Sequence, residues 1–225
     1  MLEFNPYSRR FIKALGLLSL LTIGLLAIRI LVTGSWRYWF IPENLLLAWL
    51  PLILSWALLE RLKKYRWLTW RNLLLTFLWL LFLPNSWYVL TDFVHVYPTG
   101  EISHFYDIAL MTMLVSCGFI LGFASLYMVH RRLLKPFGLR TSHVLVGLII
   151  LLSSFAIYMG RDLRWNSWDL IANPGELIYD ISDRIIDAFG HPRAISLTGL
   201  LFVVIATQYT ALWLVVTPPS TPRRP

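Results

Sequence analysis

The chain has 225 residues, of which 57% are hydrophobic and 14% are charged, and its formal net charge is +8. A soluble domain usually carries about a quarter charged residues, so the composition excludes an ordinary soluble enzyme. The basic residues are not clustered on one soluble face, so they do not indicate a nucleic-acid partner. Apolar blocks of about twenty residues, enough to cross roughly 30 Å of hydrocarbon, predict a multi-pass membrane protein instead.

Six apolar blocks predict six transmembrane helices in an all-α fold, because a helix pairs its own backbone groups inside hydrocarbon. They lie near 11–33, 42–60, 71–92, 107–129, 142–160 and 195–216. We interpret residues 1–216 as a single membrane domain whose immediate partner is the lipid bilayer. The Pro-rich stretch TPPSTPRRP (217–225) is predicted to be a disordered cytoplasmic tail.

The distribution of charge predicts the orientation, because Lys and Arg are enriched in cytoplasmic loops. If both termini are cytoplasmic, ten of the twelve acidic residues lie outside the cytoplasm, and only Glu3 and Glu60 lie inside. The inside segments then hold fourteen of the twenty basic residues: Arg9, Arg10, Lys13, Arg61, Lys63, Lys64, Arg66, Arg71, Arg131, Arg132, Lys135, Arg140, Arg223 and Arg224. We therefore predict an N-in, C-in topology.

The third predicted helix ends in a polar stretch, FLPNSWYVLTDFVH (82–95). Pro84 removes a helical hydrogen bond, and Asn85 and Ser86 are well placed to satisfy the freed backbone groups. Continued as a helix, the stretch puts four polar residues on one face: Asn85, Tyr88, Asp92 and His95. Asp92 would lie at a helix C-terminus, where the helix dipole disfavours an anion, so we predict a cationic partner for it.

The predicted partner follows the fifth helix, in the stretch GRDLRWNSWDL (160–170). Read as a helical continuation, the stretch places Arg161, Arg164 and Trp168 on one face. Either arginine is suited to a bidentate pair with Asp92, to binding an anionic headgroup or phosphate, or simply to snorkelling at the interface. Asn166 and Asp169 complete this candidate polar site.

Four further polar residues are predicted on the same, extracytoplasmic side and border the site: Glu43, Asn44, His104 and Asp107. Glu43 and Asp107 open helices, where an acidic residue suits the dipole. The two histidines His95 and His104 could join the aspartates in a metal site, but their spacing matches no ligand motif, and we predict no metal. In the fourth helix, Gly118 and Gly122 have the small-xxx-small spacing of a close helix contact.

An amphipathic helix is predicted in the extracytoplasmic loop between helices five and six, starting at Asn173-Pro174-Gly175-Glu176 and stopping at Gly190. Its apolar face holds Leu177, Ile178, Ile181, Ile185 and Phe189. Opposite are Asp180, Asp183, Arg184 and Asp187. Because membrane-binding helices usually carry a basic polar face, we expect this acidic one to pack on the protein's own rim, as a connector or a lid.

Two of these stretches resemble the signature of a family of bacterial membrane proteins, domain of unknown function 1361. They carry Pro-Asn at 84–85, Tyr-x-x-Thr-Asp-x-x-His at 88–95 and Gly-Arg-x-x-Arg-Trp-Asn-Ser-Trp-Asp at 160–169. The resemblance extends roughly from the second predicted helix to the sixth. It implies a multi-pass protein of the bacterial inner membrane, and it implies no activity.

Three functions are open at this level. The polar site could bind or transport an anionic or lipid-linked ligand held by Arg161 and Arg164. It could instead belong to a hydrolase or transferase at the outer interface, with Asp92 as general base or metal ligand and His95 as acid or base. In the third case the charges only lock helices three and five together in a structural or assembly protein. The sequence specifies neither a cofactor nor an oligomeric state.

Overall fold

The structure is a computed structural model that describes the backbone of residues 6–217 and the side chains of residues 9–217. Its described part is all-helical and contains no strand. The α-helices are α1 Pro6–Thr33, α2 Ile41–Arg61, α3 Trp70–Tyr88, α4 His104–Asp162, α5 Asp169–Ala172, α6 Pro174–Ile186 and α7 Pro192–Val216. Two short 3₁₀ helices, Val89–His95 and Ala188–Gly190, follow α3 and α6. The predicted tail lies outside the described residues, except for Thr217.

Five of the described helices are long and apolar enough to cross a membrane, which indicates a multi-pass membrane protein. Their spans are Arg9–Thr33, Ile41–Arg61, Trp70–His95, His104–Asp162 and Pro192–Val216. The chain divides into two compact units, Met1–Val129 (unit 1) and His130–Pro225 (unit 2).

Helix α4 covers both the fourth and the fifth predicted helices. The sequence predicted a loop between 129 and 142, but these residues are helical apart from Gly138, whose φ is 71° and ψ is −177°. Glycine is the residue that reaches this φ without steric cost, and Pro136 just before it lacks an N–H donor. A straight 59-residue helix would be about 88 Å long. In a protein with six spans, as the sequence predicts, the chain would turn back at the break at Gly138.

The end of the third predicted helix also differs from the prediction. The α-helix stops at Tyr88, and Val89–His95 continues as a 3₁₀ helix with about three residues per turn. This change of period removes the single α-helical face predicted for the four polar residues of the stretch. Asn85 donates to the carbonyl of Phe82 in its own helix, at 3.1 Å.

Polar side chains connect three helices inside unit 1. Ser86 of α3 donates to the carbonyl of Ala48 in α2 at 3.2 Å, so it serves a neighbouring helix and not the backbone freed by Pro84. Trp79 of α3 donates to the Ser125 hydroxyl of α4 at 2.7 Å, and Ser125 donates to the Pro51 carbonyl of α2 at 2.9 Å. The buried donors and acceptors of Trp79, Ser86 and Ser125 are thus paired between helices, as an apolar surrounding requires.

The two glycines of the small-xxx-small motif lie against the end of α3, which confirms their predicted packing role. A Cβ on Gly118 would lie 2.5 Å from the Ser86 carbonyl oxygen, and a Cβ on Gly122 would lie 2.6 Å from Trp87 Nε1. Neither distance is tolerable for a carbon atom. The absence of side chains at these two positions therefore lets α3 and α4 approach closely.

The predicted amphipathic helix of unit 2 is present as α6, followed by the 3₁₀ turn Ala188–Gly190. Leu177 and Ile181 pack against Tyr158, Met159 and Ala194, near the end of α4 and the start of α7. The other residues of the predicted apolar face are exposed. The expectation that this face packs on the protein is therefore correct only for Leu177 and Ile181.

We expect Gly118→Ala to destabilise the protein by about 1–3 kcal/mol, because the added methyl group overpacks a contact with backbone. The matched control is Gly24→Ala in α1, where a Cβ would have no atom within 4 Å. There the change should be neutral or slightly stabilising, since alanine favours helix by about 1 kcal/mol over glycine. Thermal unfolding of both variants in detergent measures the difference. Equal melting temperatures would contradict the close contact.

Candidate functional site

Polar and charged side chains of unit 1 gather where α1 ends, α2 begins, the first 3₁₀ helix ends and α4 begins. We call this the polar cluster, and its members are Arg29, Arg37, Tyr38, Asn44, Asp92, His95, Tyr97, Glu101 and Asp107. The predicted alternation of helix directions puts these four helix ends on one side of a membrane. The cluster is thus a local concentration of ionised groups at the ends of apolar helices.

A buried ion pair forms the centre of the cluster. The Arg29 side chain is fully buried, and its Nε lies 2.8 Å from Oδ1 of Asp107, which is itself only 2% exposed. The same guanidinium reaches Glu101 at 3.0 Å. Asp107 also lies in the first turn of α4, where the helix dipole favours a negative charge. The arginine is therefore compensated by two carboxylates from a distant part of the chain.

Tyr38, in the turn between α1 and α2, completes this centre. Its hydroxyl donates to Oδ2 of Asp107 at 3.1 Å, and the Arg29 guanidinium carbon lies 4.6 Å from its ring centroid. Burial first, and then the charge of Asp107, raise the pKa of Tyr38 to about 12. The phenol therefore stays a hydrogen-bond donor throughout the neutral pH range.

Arg37 forms the more accessible part of the cluster. It donates from Nη2 to the carbonyl of His95 at 2.7 Å and stacks on the Tyr97 ring with 3.6 Å between its Cζ and the ring centroid. Its Nη1 is buried without a hydrogen-bond partner among the described residues. No carboxylate of the described chain pairs with this guanidinium. Arg37 is thus a cation held by neutral groups.

Asp92 occupies a buried position in the same cluster. It is 3% exposed, and one of its carboxylate oxygens accepts a hydrogen bond from Asn44 Nδ2 at 2.7 Å. Asn44 was predicted only as a peripheral residue of the site, but its side chain contacts Asp92 directly. His95, three residues further along the 3₁₀ helix, packs its ring against Phe40 with a centroid distance of 5.2 Å.

The other predicted residues of unit 1 have less direct roles. Glu43 is exposed at the start of α2, where it suits the helix dipole. Tyr88 is half-buried and its carbonyl accepts from Thr91 at 2.8 Å. His104 is half-buried, and its Nδ1 is buried without a hydrogen-bond partner in the described chain. None of these three side chains makes a described contact with the centre of the cluster.

Four predicted site residues belong to unit 2: Arg161, Arg164, Asn166 and Asp169. The shared face predicted for Arg161 and Arg164 is wrong, because α4 ends at Asp162 and Arg164 has a left-handed φ of 61°. The Asp169 carboxylate accepts the backbone N–H of Asn166 at 2.7 Å and so stabilises a turn. The pairing of Asp92 with Arg161 or Arg164 stays a prediction.

The possible metal site is not assembled. In the part of the chain with described side chains, no three His, Cys, Asp or Glu residues come together as a metal-binding group. Asp107 is instead committed to Arg29 and Tyr38, and Asp92 to Asn44.

Sequence reasoning missed Arg29, Tyr38, Arg37 and Glu101. Arg29 carried a usable signal, since a charged residue within an apolar span usually faces the bundle interior and has a partner. The other three sit in connecting segments, where a polar or aromatic residue is ordinary and predicts little.

We expect Asp107→Asn to destabilise the protein by about 3 kcal/mol or more, because it leaves the Arg29 charge buried with one carboxylate fewer. The matched control is Glu43→Gln, which removes an exposed acid from the first turn of another helix. That change should cost less than about 1 kcal/mol. Thermal unfolding in detergent compares the two.

A double variant, Arg29→Met with Asp107→Leu, tests the pair itself. It removes both charges together, so it should be closer to the wild type in stability than either single variant. If the double variant were as unstable as the sum of the single variants, the two residues would not act as a pair.

Comparison with known proteins agrees with the resemblance of the two signature stretches. The family model described as "Protein of unknown function (DUF1361)" matches residues 43–208, well over half of the chain. The matched region contains Asn44, Asp92, Glu101 and Asp107 of the cluster, whereas Arg29, Arg37 and Tyr38 precede it. Searches of curated proteins and of solved structures found no match. The chain therefore belongs to the family of proteins of unknown function DUF1361.

Proposed function

We propose that this protein binds an anionic group, a free phosphate or the phosphate of a lipid headgroup, at the polar cluster, with Arg37 as the contacting cation. The observation that carries the proposal is the environment of Arg37. Its planar guanidinium is fixed by the His95 carbonyl and the Tyr97 ring, and its Nη1 has no partner in the described structure. A buried N–H without an acceptor is costly, and a phosphate oxygen would satisfy it.

The carboxylates of the cluster do not cancel this cation. Asp107 and Glu101 are engaged by Arg29, at 2.8 Å and 3.0 Å. Asp92 accepts a hydrogen bond from Asn44 at 2.7 Å. The buried Arg29–Asp107 pair therefore has a structural role in the proposal, and Arg37 has the binding role.

The charge distribution supports a proposed location for the cluster. We place it on the extracytoplasmic side of a protein with six spans, N-in and C-in, in the inner membrane of a bacterium. Supporting this, the basic residues are concentrated in the segments at the opposite helix ends, as the positive-inside rule requires. Headgroups of the outer leaflet would then lie level with Arg37.

Binding is tested with two probes, inorganic phosphate and dioctanoyl phosphatidylglycerol, on purified protein in detergent. We expect Arg37→Gln to weaken binding by about 10-fold or more, because a charge-assisted hydrogen bond contributes about 1.5–3 kcal/mol. Arg37→Lys should retain part of the affinity, since it keeps the charge and loses the planar fork. Calorimetry measures each affinity.

The matched control is Arg71→Gln, an exposed arginine at the start of α3 whose guanidinium lies 5.4 Å from the Trp70 ring centroid. It should bind both probes like the wild type. Binding of phosphate alone would identify a soluble ligand, and binding of the lipid alone would identify a headgroup. Equal affinity of the Arg37→Gln protein and the wild type for both probes would refute the proposal.

The predicted pairing of Asp92 with a unit 2 arginine is tested by exchanging charges. Asp92→Arg should destabilise the protein, because it places a second cation beside the predicted partner. Combining it with Arg161→Asp, or separately with Arg164→Asp, should restore stability for the true partner only. Thermal unfolding of the three variants in detergent decides the matter. Recovery by neither combination would contradict an ion pair between Asp92 and either arginine.

A further inference from the structure

The segment between α4 and α7 carries an apolar surface that the protein does not cover. Four large side chains of α6 and the following turn are strongly exposed: Ile178 at 60%, Ile185 at 65%, Ile186 at 85% and Phe189 at 94%. On a soluble protein such a contiguous patch would mark a binding surface. Here the chain on either side of the segment is apolar enough to cross a membrane.

The polar face of α6 is engaged with unit 2 itself. Arg184 lies 3.1 Å from an oxygen of Asp180 and 3.3 Å from one of Asp183. His191 Nε2 lies 2.9 Å from Asp183, and the indole N–H of Trp165 donates to Asp180 at 2.7 Å. Two of the acidic residues that argued against membrane contact are thus paired within the protein.

The ends of the segment lie beside each other. Arg193, in the first turn of α7, approaches Asp162, the last residue of α4, with 2.6 Å between Nε and Oδ2. Ala194 packs with Tyr158 and Met159 at the same place. The end of α4 and the start of α7 therefore adjoin, so the segment between them leaves one helix and reaches the other at nearly one point.

The packing of α6 leaves its exposed side directed away from the ends of α4 and α7. Leu177 and Ile181 contact the ends of α4 and α7, while Ile178 and Ile185 occupy the neighbouring part of the helix surface. Ile195, in the first turn of α7, is also 50% exposed, and α7 is itself long and apolar enough to cross a membrane. The position of the segment between two such helices favours lipid over another protein as its partner.

We propose that α6 is an interfacial helix that lies in the headgroup layer and inserts Ile178, Ile185, Ile186 and Phe189 among the upper acyl chains. The segment holds Glu176, Asp180, Asp183 and Asp187 against Arg184, so anionic lipid does not attract it. The partner is therefore the apolar layer of a zwitterionic bilayer, reached through buried apolar area. This contact is separate from the binding proposed for Arg37.

Depth-dependent fluorescence quenching tests the proposal. In a Cys117→Ala background, which removes the lone native cysteine, single cysteines replace Ile185, Phe189 and, as the control, Glu176. Each is labelled with an NBD fluorophore, and the full-length protein is reconstituted in phosphatidylcholine vesicles. Lipids with a doxyl quencher near the headgroup or deep in the chain report depth.

Labels at 185 and 189 should emit at shorter wavelength and be quenched about twofold more than the label at 176, mainly by the shallow quencher. Equal, weak quenching at all three positions would overturn the proposal. Energy transfer between labelled copies without lipid quenching would also overturn it, by identifying a second copy as the partner. Position 189 lies outside α6, so a label there reports even if substitution of Ile185 perturbs the helix.

Discussion

The structure of unit 1 depends on one electrostatic constraint, the neutralisation of Arg29 within an otherwise apolar helix. A guanidinium with no exposed surface must have a counter-charge, and Asp107 supplies it at 2.8 Å. Meeting this requirement brings the start of α4 to the end of α1. It also brings Tyr38 into the contact, because the Asp107 carboxylate has a second oxygen to satisfy. The loop residue Glu101 accepts a hydrogen bond from Nη2 of the same arginine. The polar cluster is thus organised outward from one buried charge.

Much of the helical architecture could be predicted because the bilayer imposes a length on apolar segments. Where hydrophobicity alone defines an element, as in α1, α2 and α7, the predicted and observed ends differ by a few residues. Prediction was poorer where the backbone conformation of a single residue determines where a helix is interrupted or ends. The segment around Gly138 is polar and basic, which suggested a loop, yet arginine and lysine are good helix formers and only one residue leaves the helix. The same applies to Arg164, whose left-handed conformation has no signature in its side chain.

The candidate site was predictable in its composition and less so in its pairing. Asp92, Asn44 and Asp107 stand out as acids and amides at helix ends, and all three lie in the cluster. Their partners depend on which helix ends adjoin, and sequence spacing within one helix carries no such information. The 3₁₀ geometry after Tyr88 also shifts each side chain relative to an α-helical projection. An arginine within a span is the exception to this limit. Because a charge in hydrocarbon is costly, the sequence alone predicts that such an arginine has a partner.

The Arg29–Asp107 contact also has a consequence for the order of synthesis. The two residues are 78 positions apart in the chain, so α1 emerges long before its counter-charge exists. At about 5–20 residues per second, the interval is roughly 4–16 s. During that time the first helix carries an uncompensated guanidinium, which must remain near headgroups or within the insertion machinery. Stable retention of this helix in the bilayer is therefore coupled to the synthesis of α4. A chain truncated before Asp107 would keep Arg29 without its main counter-charge and would be a substrate for membrane quality control.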